Sequence, residues 1–214
     1  ARIGKNCSIF PGSVISAIPQ DLKFNGEDSL VVINDNTTIR ECVTINRGTS
    51  DRGETTIGKN CLIMAYCHVA HDCIIGDNCI FSNNSTLAGH VSVGNHAILA
   101  GFVAVHQFCS IGDHAFIAGG SLVRKDIPPY VKAAREPISY VGINSVGLRR
   151  RGFKASKIQE IQNIYRILFQ NKYNNSQAAD IIEAELAATP ERDEILQFIK
   201  NSQRGIMKGY FQKN

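Results

Sequence analysis

No apolar run in the 214 residues approaches the length needed to cross a bilayer, and no charged start leads into an apolar segment and a small-residue cleavage site. The first absence predicts a soluble chain without integral membrane association. The second makes the cytoplasm its expected compartment. The seven cysteines are odd in number and never fall in a Cys-x-x-Cys pair, which argues against a secreted disulfide framework and against the paired thiols of a zinc site. Basic residues are not interleaved with aromatics and no nucleic-acid-binding motif occurs, so no nucleic-acid partner is expected.

Acidic charge is scarce in one part of the chain. Residues 1–123 hold 7 Lys/Arg against 10 Asp/Glu, whereas residues 124–214 hold 16 against 9. A basic tail suits an anionic partner, such as a phosphorylated ligand or an acidic protein.

What the sequence has in abundance is a period of six. Ile57, Ile63, Val69, Ile75, Phe81, Leu87, Val93, Leu99, Val105, Ile111, Ile117 and Val123 are spaced by six residues without a break. Ile3, Ile9, Ile15, Ile33, Ile39 and Ile45 share the phase, with loops expected between Ile15 and Ile33 and between Ile45 and Ile57. Neither a helix nor an alternating strand has this period. The hexads IGKNCL, IGDNCI, VGNHAI and IGDHAF begin 18 residues apart, at 57, 75, 93 and 111, so three hexads make one coil of a triangular prism. Residues 18 apart then stack at the inter-strand spacing of roughly 4.8 Å. The pattern predicts a mainly β fold, a single-stranded parallel β-helix built of hexapeptides. Six cysteines (Cys7, Cys61, Cys67, Cys73, Cys79 and Cys109) take the fifth hexad position, shared with Ser and Ala, and read as small buried wall residues.

The repeat ends near Asp126, and Pro128 and Pro129 follow. A helical tail is expected beyond, with Ile158, Ile161, Tyr165 and Leu168 on one stripe, Ser176 as an N-cap and Pro190 in a first helical turn. The expected division is residues 1–126 for the β-helix, its N-terminal coils missing, and residues 127–214 for a C-terminal α-helical domain capping the solenoid.

All six histidines lie between positions 68 and 114. His96 and His114 continue a corner column with Asn60 and Asn78 and read as corner hydrogen-bonding residues. His68, His71, His90 and His106 stand outside that column. Gly89 and then Gln107 stack above His71, and Asp72 lies under His90, so a base, a carboxylate and a glycine backbone converge on one strip. Those are the parts of an acyl-transfer site. A zinc solenoid of the carbonic anhydrase kind needs a His-x4-His pair, and Ile111 stands five residues after His106, so no metal is expected.

The stretches QDLKF (20–24), RECVTINRGT (40–49), HVAHDC (68–73), TLAGHVSVG (86–94), VHQFCSIG (105–112), PPYV (128–131) and GINSVGLRRRGF (142–153) together resemble the acyl-[acyl-carrier-protein]:UDP-N-acetylglucosamine O-acyltransferase family over essentially the whole chain. The resemblance implies a left-handed coil and a cytoplasmic homotrimer with sites between subunits. It implies transfer of a (R)-3-hydroxyacyl chain from acyl carrier protein to the 3-hydroxyl of UDP-GlcNAc, the first step of lipid A biosynthesis. No cofactor is implied beyond the carrier's own phosphopantetheine, which holds the acyl donor. His71 matches the general base, Asp72 its orienting carboxylate and the Gly89 N–H the oxyanion donor. Gln20, Asp21, Lys23, His68, His90, His106 and Gln107 match substrate contacts, and Asn144, Arg150 and Arg151 match residues reaching the UDP from a neighbouring subunit. Gly119 falls in the region that measures acyl length, where glycine resembles long-chain members of roughly fourteen carbons or more.

Two positions depart from the family pattern. Asn46 stands where some relatives have histidine, and Val146 where a glutamate often follows Asn144; both bear on the nucleotide end and leave a 3-amino sugar nucleotide open beside the 3-hydroxy one. The sibling amino-sugar N-acyltransferase has Asn after the catalytic histidine and lacks GLRRRGF, so Asp72 and the tail favour the O-acyltransferase. An acetyl-CoA-dependent hexapeptide acetyltransferase and a non-catalytic solenoid scaffold are rivals that the same repeat permits. A scaffold does not account for His71, Asp72 and Gly89 breaking the column pattern together.

Overall fold

The structure, a computed structural model, describes residues 1–170 and 173–209. Eighteen strands of two to four residues lie between Arg2 and Val123, and they sort into three parallel sheets that form the faces of a prism. The first sheet runs from Arg2–Ile3 to Ser110–Ile111, the second begins at Ser8–Ile9, and the third runs from Val14–Ala17 to Leu122–Val123. Ile57 pairs with Ile75, Ile75 with Val93 and Val93 with Ile111, the expected 18-residue stack.

The period of six has two physical causes. The first hexad position points inward, and from Ile57 to Val123 none of its residues is more than 3% exposed. The fourth position makes the corner. From Asn60 to His114 it holds φ between 55° and 63° at every coil edge, and Gly120 continues it at 70°. A left-handed backbone is costly for most side chains and least so for Gly, Asn and Asp, which explains the recurrent Asn60, Asn78, Asp72 and Asn84. His90 and His96 occupy this same slot, so the corner position is common to histidines the sequence pattern separated.

The fifth position sits just inside the corner. Cys61, Cys67, Cys73 and Cys79 each donate a thiol hydrogen bond to a carbonyl of the next coil, at 3.0–3.2 Å, from Gly76 to Gly94. Ser85 makes the same contact to Ala100 O. Burial pushes the Cys67 and Cys109 thiols up to about 11 and that of Cys73 to about 12, so they stay protonated donors.

The tail does not begin with helices. Val131–Ala134 pairs in parallel with Phe116–Ile117, Ser139–Ile143 folds back antiparallel on it, and Lys208–Gly209 adds the outermost strand. The second sheet would otherwise end in unpaired backbone groups at Ile117, and these strands satisfy them. Among the described residues four helices follow: α1 (Ser145–Arg150), α2 (Ala155–Gln170), α3 (Asn175–Glu185) and α4 (Pro190–Asn201). The stripe Ile158, Ile161, Tyr165 and Leu168 is buried, and Tyr165 donates to Pro129 O at 2.6 Å. Ser176 is not the N-cap of α3. Asn174 is, because its side chain accepts from Gln177 N while Gln177 Oε1 accepts from Asn174 N, a reciprocal pair that Ser176 cannot make from inside the first turn. Pro190 opens α4 behind the N-cap Thr189.

The tail grips the corner between the first and second sheets. Asn144 donates to His114 O at 2.9 Å and caps α1 by accepting from Gly147 N, and Arg151 donates to His96 O at 3.0 Å. His114 is stacked between His96, at 4.8 Å, and Tyr130, at 5.5 Å.

Two tests follow from the corners. Asn78→Val places a β-branched residue at φ 59° and should cost about 1–2 kcal/mol in denaturant unfolding, whereas Asn78→Gly should be near neutral; equal stability of the valine variant would contradict the backbone account. Burial, aided by the charges of His96 and Arg151, pushes His114 down to about 4. The folded state therefore refuses a proton that the unfolded chain accepts near pH 6.5, so its stability falls as pH drops from about 6.5 to 4. His114→Gln should flatten that part of a Tm-against-pH series, and an unchanged slope would contradict the assignment.

Candidate active site

Both loops expected from the broken period leave the prism at one edge, the corner between the third and first sheets. Residues 18–29 follow Val14–Ala17, and residues 47–53 follow Thr44–Asn46. The corners stacked on them carry His71 and Asp72, then Gly89 and His90, then Gln107 and Phe108. One prism edge thus collects two loops and three successive corners.

His71 and Asp72 are its centre. His71 Nδ1 lies 2.8 Å from Asp72 Oδ2. The Asp72 side chain is wholly buried, and burial alone would raise its carboxyl. Hydrogen bonds from His71 and from the Thr49 hydroxyl and amide, with the nearby His90, outweigh that and hold it below its usual value. An ionised Asp72 accepts from Nδ1–H, which leaves the Nε2 lone pair of a neutral His71 free to accept a proton. The other side of the imidazole lies on Gly89, where a Cβ would come within 2.6 Å of Nε2 and Cε1. Glycine is thus required by the histidine ring as well as by any approach of a substrate. Among the described residues the Gly89 N–H has no acceptor.

His90 sits over this pair. Its ring stacks on Phe108 at 4.6 Å and meets His71 edge-on at 5.0 Å, with Nδ1 3.2 Å from Asp51 Oδ2 and Nε2 3.8 Å from Asp72 Oδ2. His68, on the adjoining strand of the third sheet, is bonded through Nδ1 to Thr44 Oγ1 at 2.7 Å. Burial, and then repulsion from His71 whenever that ring is protonated, lowers its pKa, which favours its neutral form. His106 contacts Gln107 O through Nδ1 at 3.1 Å, and both side chains are exposed.

The loops close a recess of about 270 Å³ against this edge, lined by Asp21, Lys23, Phe24, Asp51, His90 and Phe108 among others. Gln20 is exposed beside it. Glu27 ties the two loops together by accepting from Asn25 N and Ser50 N. By distance alone His71, Asp72 and His90 could offer three donors to a metal, all within 4.8 Å of one another. Both Asp72 oxygens are already acceptors for Thr49, and Oδ2 also for His71, an arrangement suited to orienting a proton acceptor.

The remaining expected residues lie on other edges of the prism. Asn144 and Arg151 are fastened to the corner of His96 and His114, with Arg150 exposed beside them. Gly119 is at the third edge, between the second and third sheets, where a Cβ would sit 3.1 Å from Gly101 O. A single chain therefore does not bring the residues expected to serve catalysis, nucleotide binding and acyl length into one cleft. Thr49, Asp51, Arg52 and Phe108 join the site without a motif of their own in the sequence. The signal available was the stacking of the 47–53 loop beneath Asp72.

Comparison with known proteins gives the family. Residues 126–207 match the family model for the second domain of UDP-N-acetylglucosamine O-acyltransferase, and residues 54–89 match that for six bacterial transferase hexapeptides. The acyl-[acyl-carrier-protein]–UDP-N-acetylglucosamine O-acyltransferase of Aquifex aeolicus is 53% identical over 94% of this chain and 77% of its own length; that of Chlorobaculum parvum is 51% identical over 96% and 78%. The crystal structure of a UDP-N-acetylglucosamine acyltransferase from Bacteroides fragilis superposes with a TM-score of 0.95 at 52% identity, covering 97% of this chain and 81% of that one. The solenoid shares the left-handed winding of these structures. With 51–53% identity to these relatives over 94–96% of its length, and with the same fold, the chain belongs to the acyl-[acyl-carrier-protein]–UDP-N-acetylglucosamine O-acyltransferase family.

Proposed function

We propose that this protein transfers a (R)-3-hydroxyacyl group from acyl carrier protein to the glucosamine 3-hydroxyl of UDP-GlcNAc, the first step of lipid A biosynthesis. The observation that carries the chemistry is the His71–Asp72 contact at 2.8 Å with the imidazole seated on Gly89. A sugar hydroxyl is a weak nucleophile at neutral pH, so a positioned base contributes about 10²- to 10⁴-fold. His71 Nε2 takes the 3-OH proton as that oxygen attacks the thioester carbonyl carbon. The carbonyl oxygen gains negative charge in the tetrahedral intermediate, and the Gly89 N–H donates to it. The C–S bond then breaks, and the imidazolium returns its proton to the phosphopantetheine sulfur. Asp72 keeps the proton on Nδ1 throughout and stabilises the imidazolium, without itself becoming protonated.

Substrate binding is assigned by position. Asp21 and Lys23 line the recess beside His90, with Gln20 at its rim and His68, His106 and Gln107 along the same edge. Guanidinium groups suit diphosphate oxygens, so Arg150 and Arg151, with Asn144, serve the UDP. Because these three sit on a different edge from His71, they serve a neighbouring subunit's site, and the working protein is a homotrimer with clefts between prisms. A Cβ on Gly119 would press on Gly101 O at 3.1 Å, and the lack of a side chain there fits a long acyl chain. Among the described residues no helix is long and apolar enough to cross a membrane. Both substrates, a carrier-protein thioester and a nucleotide sugar, are water-soluble, which suits a cytoplasmic enzyme, and the reaction as written uses no metal or bound cofactor. The basic tail offers complementary charge to the acidic carrier protein.

The direct test is mass-spectrometric detection of acyl-UDP-GlcNAc formed from a 3-hydroxyacyl carrier protein. Intact protein should form product, and His71→Ala should lose about 10²-fold or more of the rate while keeping its fold. Unimpaired turnover by that variant would remove the base assignment, and absence of product with folded intact protein would remove the reaction. Light scattering should give a particle of about three times the 23.4 kDa chain; a monomer active at the same concentration would contradict the shared site.

A further inference from the structure

Asp72 is the most completely engaged residue of the active edge, and most of its partners come from one short segment. Its N–H donates to Thr55 Oγ1 at 2.8 Å, and its carbonyl accepts from Arg52 Nη1 at 2.7 Å. Its Oδ1 accepts from Thr49 N at 3.0 Å, and its Oδ2 accepts from Thr49 Oγ1 at 2.7 Å, beside His71 Nδ1. The bond from Thr49 has a defined direction. Thr49 Oγ1 itself accepts from Asp51 N at 3.3 Å, so its single hydrogen points to the carboxylate. The segment is also held closed, since Gly53 N donates to Thr49 O at 2.7 Å and a Cβ on Gly48 would collide with Glu54 N.

We infer that Thr49 is a positioning residue of the transfer reaction: its buried hydroxyl and amide fix the plane of the Asp72 carboxylate, and through it the orientation of His71. This inference rests on His71 being the general base. With both oxygens anchored, the carboxylate cannot rotate away from Nδ1, and Nε2 stays aimed at one point in the cleft. Loss of the hydroxyl leaves Oδ2 with the His71 bond alone, and the imidazole gains freedom in the transition state, where its charge is greatest.

The test is steady-state kinetics of the full chain with acyl carrier protein thioester and UDP-GlcNAc. Thr49→Val, which keeps the amide and the volume, should lower kcat about ten- to hundredfold, the effect of one hydrogen bond to a charged group, with KM for UDP-GlcNAc changed less than about twofold. Thr49→Ser should restore kcat to within about threefold of the intact protein. In an Asp72→Asn background Thr49→Val should cause no further loss, because the two act as a unit. If the valine variant does not fold, Thr49→Ala removes the same hydroxyl and must give the same split. Wild-type kcat in a folded variant lacking the hydroxyl, or losses that multiply independently with Asp72→Asn, would overturn the inference. If His71→Ala or Asp72→Asn turned over normally, it would instead be the base assignment that failed.

Discussion

Each coil of the prism turns at a residue held near φ 60°, and coils stack 18 residues apart. These two constraints turn each edge into a ladder in which the residue of one coil lies directly against its counterpart in the next. Nothing else in the molecule has comparable reach. The ladder between the first and second sheets holds the His96, His114 and Tyr130 stack that the tail clasps. The ladder between the third and first sheets holds Asp72, His90 and Phe108, and the residues preceding them are His71, Gly89 and Gln107. The geometry around His71 comes from the spacing of coils, a rigid ruler that loops alone could not supply.

The arrangement concentrates unfavourable groups at one point. Asp72 combines a left-handed backbone at φ 58° with a side chain wholly removed from water. A non-glycine residue in that conformation costs on the order of 1–3 kcal/mol, and a buried carboxylate is tolerable only when its oxygens are filled. The segment from Thr49 to Thr55 fills them. That explains why the solenoid ejects a loop one coil below the site: an unbroken hexad there would give a corner like any other and no donor to the carboxylate. Loops on a rigid frame carry function here because the frame keeps their ends at one edge.

Much of this was legible in the sequence. The unbroken series from Ile57 to Val123 and the hexads 18 apart specify a solenoid, since side-chain burial at every sixth position has no helical or simple-strand solution. His71, Asp72 and Gly89 were identifiable because they interrupt a column. The hairpin of Val131–Ala134 and Ser139–Ile143 was not, because its cause is an unsatisfied sheet edge at the end of the solenoid. Asn174 rather than Ser176 as a cap was hidden by two nearby residues of equal capping propensity, decided by the reach of Gln177. Thr49 gave no local signal at all; its role exists only once Asp72 is stacked above its loop.

Three groups of candidate residues occupy three different prism edges, and under the proposed function the active cleft is complete only when neighbouring prisms face one another. The claim on which the account rests is that the edge carrying His71 is where the sugar is held for reaction. A crystal structure with UDP-GlcNAc bound tests it most directly. The account predicts the glucosamine 3-oxygen within about 2.6–3.2 Å of His71 Nε2, with the diphosphate reached by Arg150 or Arg151 of a second subunit. A nucleotide sugar bound with its 3-oxygen at another edge, away from His71, would contradict it.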